Sequence, residues 1–426
     1  MYRLDWVEQL KLGTAAPPRR RDAARVSPTV WTLGYTSLLT DVSSEMVSSI
    51  LPVYIVLHLR MSPLQYGTID GLYNGMAVAL LALAGGLLAD RTRRYKEVAA
   101  FGYGLSAMCK LLLIAAGAAW GWLAAIVAID RAGKGARTAP RDAMISLVTG
   151  NGSLASAFAV HRALDAGGSL LGPVLAFGLL ARLPDAFDAV WMTSFVCALV
   201  GVAVLWLFVD NPRPVGVPAL APIERRSFAD ASRALLREAI GNRRLLILVG
   251  AGVLLSLATM SDGFVYLMLQ ERSHIAATFF PLFYLATACW YMVLSIPAGR
   301  IADRWGRTPV LLAGYSAVGM IYLILLTTGG GIGASLLCLF LFGLHYAATE
   351  GVLTAMASTM IPPESRTTGL AFVASCIGFG KMGSSLVFGW IWQVWGAQVA
   401  LSAFAGALAA AVLTTGAVLS HRVARE

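Results

Sequence analysis

Roughly a dozen apolar stretches fill most of this chain, and each approaches the ~20 residues that an α-helix needs to cross a bilayer. Hydrophobic residues make up 58% of the 426 residues and charged residues 13%, with a mean hydropathy of +0.70, far from the composition of soluble domains. Lipid cannot hydrogen-bond the backbone, so stretches of this length predict helices. We place transmembrane helices at 30–57, 63–88, 98–118, 120–148, 155–181, 188–209, 245–269, 277–298, 309–329, 334–360, 368–392 and 396–419.

A short loop motif occurs twice, each time at the end of an apolar stretch. Gly86, Asp90, Arg91, Arg94 and Lys96 are echoed by Gly299, Asp303, Arg304, Gly306 and Arg307. The two aspartates are 213 positions apart, half of the 426 residues. The repeat predicts that one architectural unit is present twice.

The distribution of basic residues predicts the orientation. With the N-terminus inside, the cytoplasmic segments hold 23 of the 33 Lys and Arg residues, and the outer loops hold Arg60, Arg182 and Arg272. Short loops rich in Lys and Arg stay in the cytoplasm. Residues 1–27 are polar and basic, so we expect no cleavable signal peptide. The sequence predicts a multi-pass protein of the inner (plasma) membrane with both termini cytoplasmic.

The longest internal break divides the chain into two halves. We expect a cytoplasmic tail at 1–28, a six-helix bundle at 29–209, a linker at 210–244, a second bundle at 245–420 and a tail at 421–426. The linker contains Pro212, Pro214, Pro218 and Pro222, and an amphipathic stretch follows at 227–240. That stretch suits a helix at the cytoplasmic surface.

Several other classes of protein are excluded by composition and motifs. Topology and anionic lipids account for the net charge of +10, so no nucleic-acid partner is expected. The five cysteines lie in apolar spans without a CxxC pair, and His161 and His345 are too isolated for a metal site. No HExxH, GxSxG or phosphate-binding glycine loop occurs. We expect no enzyme activity and no cofactor, and nothing calls for more than a monomer.

Nearly the whole chain resembles the major facilitator superfamily of secondary transporters. The second loop copy matches the family signature fully, whereas the first has Arg93 where a second glycine is usual. The resemblance implies twelve transmembrane helices in two pseudo-symmetric six-helix bundles. It also implies that the loop is a conformational latch, in which the aspartate caps a helix end and pairs with basic groups in the outward-facing state. The alternative is that the loop only orients the protein in the membrane.

Two further motifs resemble those of this family. Arg131 is followed by Gly135 and small residues, and in the family this arginine is linked with proton coupling. Gly168, Gly172 and Pro173 resemble part of a motif typical of exporters that exchange substrate for protons. The alternative interpretation of these glycines is close helix packing.

Ionisable residues inside the predicted spans indicate a function, because each costs at least ~2.5 kcal/mol at the bilayer centre. Asp41 and Glu45 lie four residues apart on one helix face and are our candidates for proton carriage. Six cationic groups lie in or near the first bundle and predict an anionic part in the substrate: Lys110, Arg131, Lys134, Arg137, Arg141 and Arg162. Asp70, Asp262, His345 and Lys381 are further ionisable residues in the spans, without an assigned role.

The candidate substrate-binding residues come from both halves: Lys134, Arg137, Arg162, Glu350, Tyr284 and Trp290. The half-chain offset makes Arg137 equivalent to Glu350, so this pair would close one side of a central cavity. The alternative is that the charges only hold helices together, as in Arg162 with Asp165 and Arg141 with Asp142. Aromatic residues such as Trp290 have the alternative of facing lipid or neighbouring helices.

These observations predict a proton-coupled secondary transporter that works by alternating access. Its partners would be protons, the bilayer and a small anionic or amphipathic organic molecule, and the exporter motif favours efflux by antiport. Proton symport of an organic anion or a metal chelate is the first alternative. A membrane scaffold or receptor is the second.

Overall fold

Fourteen α-helices form the part of the chain that the computed structural model describes, namely residues 26–75, 78–149, 153–211, 241–327, 330–362 and 366–423. They are α1 Pro28–Val53, α2 Pro63–Gly75, α3 Val78–Thr92, α4 Tyr95–Ala116, α5 Trp120–Leu147, α6 Leu154–Arg182, α7 Phe187–Phe208, α8 Arg243–Leu257, α9 Asp262–Ser273, α10 Pro281–Trp305, α11 Arg307–Thr327, α12 Ile332–Met360, α13 Arg366–Trp395 and α14 Ala397–Val423. Most of the predicted N-terminal tail, the linker with its predicted surface helix and the last three residues lie outside the described ranges.

The described residues confirm an all-helical membrane fold. Nine segments are long and apolar enough to cross a bilayer within these ranges. Helices α1 and α5, with 26 and 28 residues, also have the length to cross but carry polar and charged side chains. The helix order is consistent with twelve spans.

One predicted span is interrupted within the described residues. The span predicted at 245–269 comprises α8 and α9, whereas the span predicted at 63–88 corresponds to α2 and α3, with residues 76–77 outside the described ranges. Between α8 and α9 the helix is interrupted at 258–261, where side-chain hydroxyls form hydrogen bonds with backbone groups that lack their helical partners. The Met260 N–H donates to Tyr322 Oη at 2.7 Å, and Ser384 Oγ donates to the Thr259 carbonyl at 2.5 Å. The predicted span is confirmed, because Arg243–Ser273 is long and apolar enough to cross a bilayer, and the interruption lies within it.

The helices form two bundles. In the first, α1 packs against α6 and α7, and α5 packs against α3 and α4. In the second, α12 packs against α10 and α11, while α13 packs against α8 and α14 packs against α11. The halves meet where α2 lies along α13 and α6 approaches α10. The interior between the halves is where any route across this protein would run.

The two bundles touch closely at one end, which we call the Arg60 face after the α1–α2 connection; the opposite end is the Arg93 face. The rings of Phe177 and Phe279 are 5.4 Å apart across the halves on the Arg60 face. A stripe of glycines on α2, namely Gly67, Gly71 and Gly75, lies against α13. A Cβ atom at Gly71 would lie 3.0 Å from the Met382 carbonyl oxygen. This small-residue contact brings the halves close together on the Arg60 side.

Candidate functional site

Helix α5 carries a buried charge cluster at its centre. Asp130 binds Lys110 of α4 through one carboxylate oxygen and Arg131 through the other, both at 2.5 Å. The Arg131 guanidinium also stacks 3.9 Å from the ring centroid of Tyr73 on α2. All three charged residues are buried. Arg131, our candidate for proton coupling, is thus held by a carboxylate and an aromatic ring.

About two turns further along α5, Arg137 meets the acidic face of α1. Its guanidinium lies 3.5 Å from the Asp41 carboxylate and 4.3 Å from the ring centroid of Tyr103. Arg137 is 3% exposed and Asp41 is 8% exposed. Lys134 and Asp165 are close enough to act electrostatically on Asp41. Sequence reasoning nominated Asp41 and Arg137 separately, and the structure brings them together.

Glu45 lies one turn beyond Asp41 on α1. Its carboxylate accepts a hydrogen bond from Ser48 at 2.8 Å and lies close enough to Arg131 to interact electrostatically. Both acidic residues pack directly against the glycines of α6. A Cβ atom at Gly172 would lie 2.7 Å from the Glu45 Cβ, and one at Gly168 would lie 3.1 Å from the Asp41 Cβ. The Gly168, Gly172 and Pro173 motif therefore brings α6 onto the two candidate proton carriers.

A second polar network lies nearer the Arg93 face. Arg141 is 3.0 Å from Asp142, 3.8 Å from Asp165 and 3.1 Å from Ser37 Oγ. Arg162 lies 3.8 Å from Asp165, and its side chain is 63% exposed. The pairs Arg141 with Asp142 and Arg162 with Asp165 each lie within one helix, so the contacts that hold helices together here are those of Arg141 with Asp165 and Ser37.

The candidates from the second half lie apart from this network. Glu350 is exposed on α12, and among the described residues the ion-pair partner of Arg137 is Asp41. Tyr284 packs edge-on to Tyr266, with ring centroids 4.7 Å apart. Trp290 is 41% exposed and edge-on to Phe340 at 5.0 Å. The pairing of Arg137 with Glu350 stays a prediction for another state of the protein.

The repeated loop motif lies at the Arg93 face. Asp90 accepts a hydrogen bond from the Tyr95 hydroxyl at 2.9 Å, and Arg307 donates to the Ala355 carbonyl at 3.0 Å. Within the described ranges no ion pair within 4.0 Å involves Asp90 or Asp303. The latch role assigned to this loop stays a prediction. Of the other latch residues, Gly86 and Arg91 lie near the end of α3 and Gly299 and Arg304 near the end of α10, whereas Arg94 and Gly306 lie in the connections that follow.

A cavity of ≈ 50 Å³ lies at the interruption between α8 and α9. Asp262, at the start of α9, accepts from the Tyr346 hydroxyl at 2.6 Å, and Asp70 of α2 accepts from Ser385 of α13 at 2.7 Å. Asn74, one turn beyond Asp70 on α2, donates to Asp70 at 3.1 Å and lines the cavity together with residues of the second half. Sequence reasoning named Asp70 and Asp262 without a role, and it missed Asn74 and Tyr346. The Ser261–Asp262 pair, typical of a turn or a helix start, lies inside an apolar stretch and could have indicated an interrupted helix there.

The arrangement so far is a two-bundle membrane protein with ionisable groups along its interior. The model of the Major Facilitator Superfamily matches residues 33–381 and 274–425. This chain belongs to the major facilitator superfamily. An uncharacterised MFS-type transporter of Methanocaldococcus jannaschii is 31% identical over 382 residues, covering 87% of this chain and 89% of the relative. An uncharacterised protein of Mycobacterium tuberculosis is 26% identical over 385 residues, covering 88% and 90%.

Solved structures support the same fold for this superfamily member. A mutant of the nucleoside transporter NupG superposes with a TM-score of 0.74 at 15% identity, covering 91% of this chain and 99% of that one. A POT family transporter in complex with a thioalcohol-conjugated peptide gives 0.71 at 14% identity, covering 92% and 95%. At these identities the likeness concerns the fold. Together with the family assignment, it makes the protein an integral membrane transporter of the MFS type, for a small-molecule substrate.

Proposed function

We propose that this transporter couples the movement of a small organic anion to that of protons by alternating access across the inner membrane. The observation that carries the proposal is the buried contact of Asp41 with Arg137 at 3.5 Å. Asp41 can lose its charge by binding a proton, whereas arginine keeps its charge. Because the two groups neutralise each other, the charge state of Asp41 controls whether Arg137 is available to another anion.

The pairing also predicts the sign of the coupling. A proton on Asp41 releases Arg137, and an anionic group of the cargo then takes the place of the carboxylate. Conversely, a bound anion pairs with Arg137 in place of Asp41, and the carboxylate of Asp41, without its cationic partner, then binds a proton more readily. By linkage, the proton and the anion assist each other's binding, which favours transport of both in the same direction. Lys134, beside Asp41, adds a second positive charge for the cargo.

Efflux in exchange for protons is the second candidate function. It is favoured by the packing of Gly168 and Gly172, part of an exporter-like motif, directly against Asp41 and Glu45. Exchange requires the cargo and the proton to compete for one group. For a cargo that also offers a hydrogen-bond donor or a positive charge, Glu45 would serve as that group, because it is bound by a Ser48 hydroxyl and lies beside Arg131 without a direct ion pair within the described ranges.

The proposal is tested with purified protein in proteoliposomes that contain a pH dye. Organic anions, including carboxylates and sugar phosphates, are added outside one at a time. Acidification of the lumen by one compound indicates symport, and alkalinisation indicates exchange. Arg137→Ala should weaken binding of that compound about tenfold or more, because a charge-assisted contact is lost. Asp41→Asn should retain binding and counterflow exchange but lose the coupled proton flux.

Glu45→Gln separates the two candidate functions. If Glu45 is the exchange group, this variant loses proton flux and Asp41→Asn keeps it. Asp185→Asn serves as the control, because Asp185 is an exposed residue in the α6–α7 connection. Unchanged proton coupling in both Asp41→Asn and Glu45→Gln, or unchanged affinity in Arg137→Ala, would overturn the proposed mechanism.

A further inference from the structure

The cavity at the α8–α9 interruption has the features of a binding site that the proton mechanism leaves unused. In transporters, interrupted membrane helices occur where irregular backbone lines a cavity, and such breaks bind ions and substrates. Thr259, Met260, Ser261 and Asp262 all line the cavity from the interruption itself. Asn74 lines it from the other half, so a ligand here contacts both bundles.

The charges around the cavity are unbalanced. Asp262 lies within electrostatic reach of two other carboxylates, those of Asp70 and Glu350. Lys381, which lines the cavity, is the cation opposite them. Among the described residues no ion pair within 4.0 Å joins Lys381 to any of the three. Asp262 and Lys381 line the cavity, and Asp70 and Glu350 lie outside its lining, so three carboxylates act on the site against one lysine and favour a positively charged ligand.

An unsatisfied hydroxyl provides an independent indication of a ligand. Ser256 lines the cavity and is 2% exposed, and its Oγ is buried with no hydrogen-bond partner. Buried polar groups are nearly always hydrogen-bonded, to protein or to a bound species. Oxygen atoms that lack a donor are suited to contact a cation.

We propose that this cavity binds a compact monovalent cation, with Asp262 as its principal anionic contact. The volume of ≈ 50 Å³ holds about three to five water-sized groups, which suits an ammonium group or a small hydrated ion. Quaternary ammonium groups suit the site less well, because they have no N–H to donate to the oxygens that line it. Two sources share this chemistry, an alkylammonium group on the cargo and an inorganic ion such as Na⁺. The first source rests on the proposed transport function, whereas the second does not.

The experiment measures binding and needs neither transport nor a proton gradient. The thermal unfolding of purified protein is followed at constant ionic strength while NaCl or methylammonium chloride replaces choline chloride, whose quaternary head is bulkier and has no N–H to donate to the oxygens of the cavity. A ligand that binds only the folded state raises the Tm in a saturable manner. We expect a saturable rise with one of the two cations, and the cation that produces it identifies the source.

Two variants tie the effect to the cavity. Asp262→Asn should raise the apparent Kd for the cation about tenfold or more, and Asp185→Asn, at an exposed loop position, should leave it unchanged. Should Asp262→Asn not fold, Ser256→Ala replaces it, with an expected loss of affinity of about threefold or more. Absence of a cation-specific rise in the unsubstituted protein would overturn the proposal. So would an unchanged Kd in whichever cavity variant folds. Neither result bears on the proton coupling of Asp41.

Discussion

Arg93 and Gly306 occupy equivalent positions in the two copies of the loop motif, and both have a positive φ, of 55° and 97° respectively. A residue with a Cβ atom in the left-handed region is strained by roughly 1–2 kcal/mol relative to glycine. The first copy therefore has a positive φ at this position although it lacks the glycine.

Replacing Arg93 by glycine should therefore stabilise the protein. We expect Arg93→Gly to raise the free energy of unfolding by about 1 kcal/mol, because the strain at positive φ is removed. Arg94→Gly is the matched control: it removes the same charge from the same loop at a φ of −112°, where glycine brings no relief. The measurement is the Tm of thermal unfolding, compared between the two variants. A lower Tm for Arg93→Gly than for Arg94→Gly would contradict the expectation.

Asp130 illustrates which properties of a residue can be predicted from sequence. The free-energy cost of placing Asp130 in a membrane span, and hence its need for a partner, follows from its charge alone. Its actual partners, Lys110 on α4 and Arg131 beside it, depend on how α4 and α5 are rotated against each other. Arg131 carried a family-based role in proton coupling, and the structure shows it held by Asp130 and Tyr73.

At the scale of single elements, α6 shows how glycines position a charged site. Gly172 lies so close to α1 that a Cβ atom there would be 2.7 Å from the Glu45 Cβ and 2.9 Å from the Met46 nitrogen. Gly178, on the same helix, has open space around its own Cβ position. The two glycines thus have different structural roles, although the sequence shows both simply as small residues in an apolar helix.

Alanine substitution should separate those roles. Gly172→Ala should lower the free energy of unfolding by about 1–3 kcal/mol, because α1 and α6 must move apart. Gly178→Ala should be neutral or stabilising by up to about 1 kcal/mol, because it only reduces the freedom of the unfolded chain. Chemical or thermal unfolding in detergent measures both. Equal destabilisation by the two substitutions would show that the close approach at Gly172 is not the cause.

At the scale of the whole molecule, the halves are closed on the Arg60 face. The contacts that join them there include Phe177 with Phe279, Asp70 with Ser385, and the glycine stripe of α2 against α13. Alternating access requires these contacts to separate when the opposite face closes. Hydrogen bonds and small-residue packing are well suited to that exchange, because they can be broken without leaving a charge unpaired in lipid.

Joining the halves on this face should therefore stop transport. The double variant Phe177→Cys, Phe279→Cys is made in a protein without its native cysteines and is treated with a short bis-maleimide reagent. The five native cysteines replaced by alanine are Cys109, Cys197, Cys289, Cys338 and Cys376. We expect one intramolecular cross-link by mass spectrometry and loss of transport in proportion to its yield. Each single-cysteine variant, treated in the same way, should keep its activity. Full activity in cross-linked protein would show that this face does not open.

The sequence by itself determined that this protein lies in a lipid bilayer, that it is helical and that one architectural unit occurs twice. It could do so because the length and hydropathy of each stretch and the repeated loop motif are local properties. It also located the charged residues of the interior. Tertiary structure alone decided which of them meet: Arg137 pairs with Asp41 across two helices, and α8 and α9 separate at a cavity that Asn74 reaches from the other half. Those outcomes depend on the rotation, tilt and close approach of helices that are distant in the chain, and hydropathy carries no information about them.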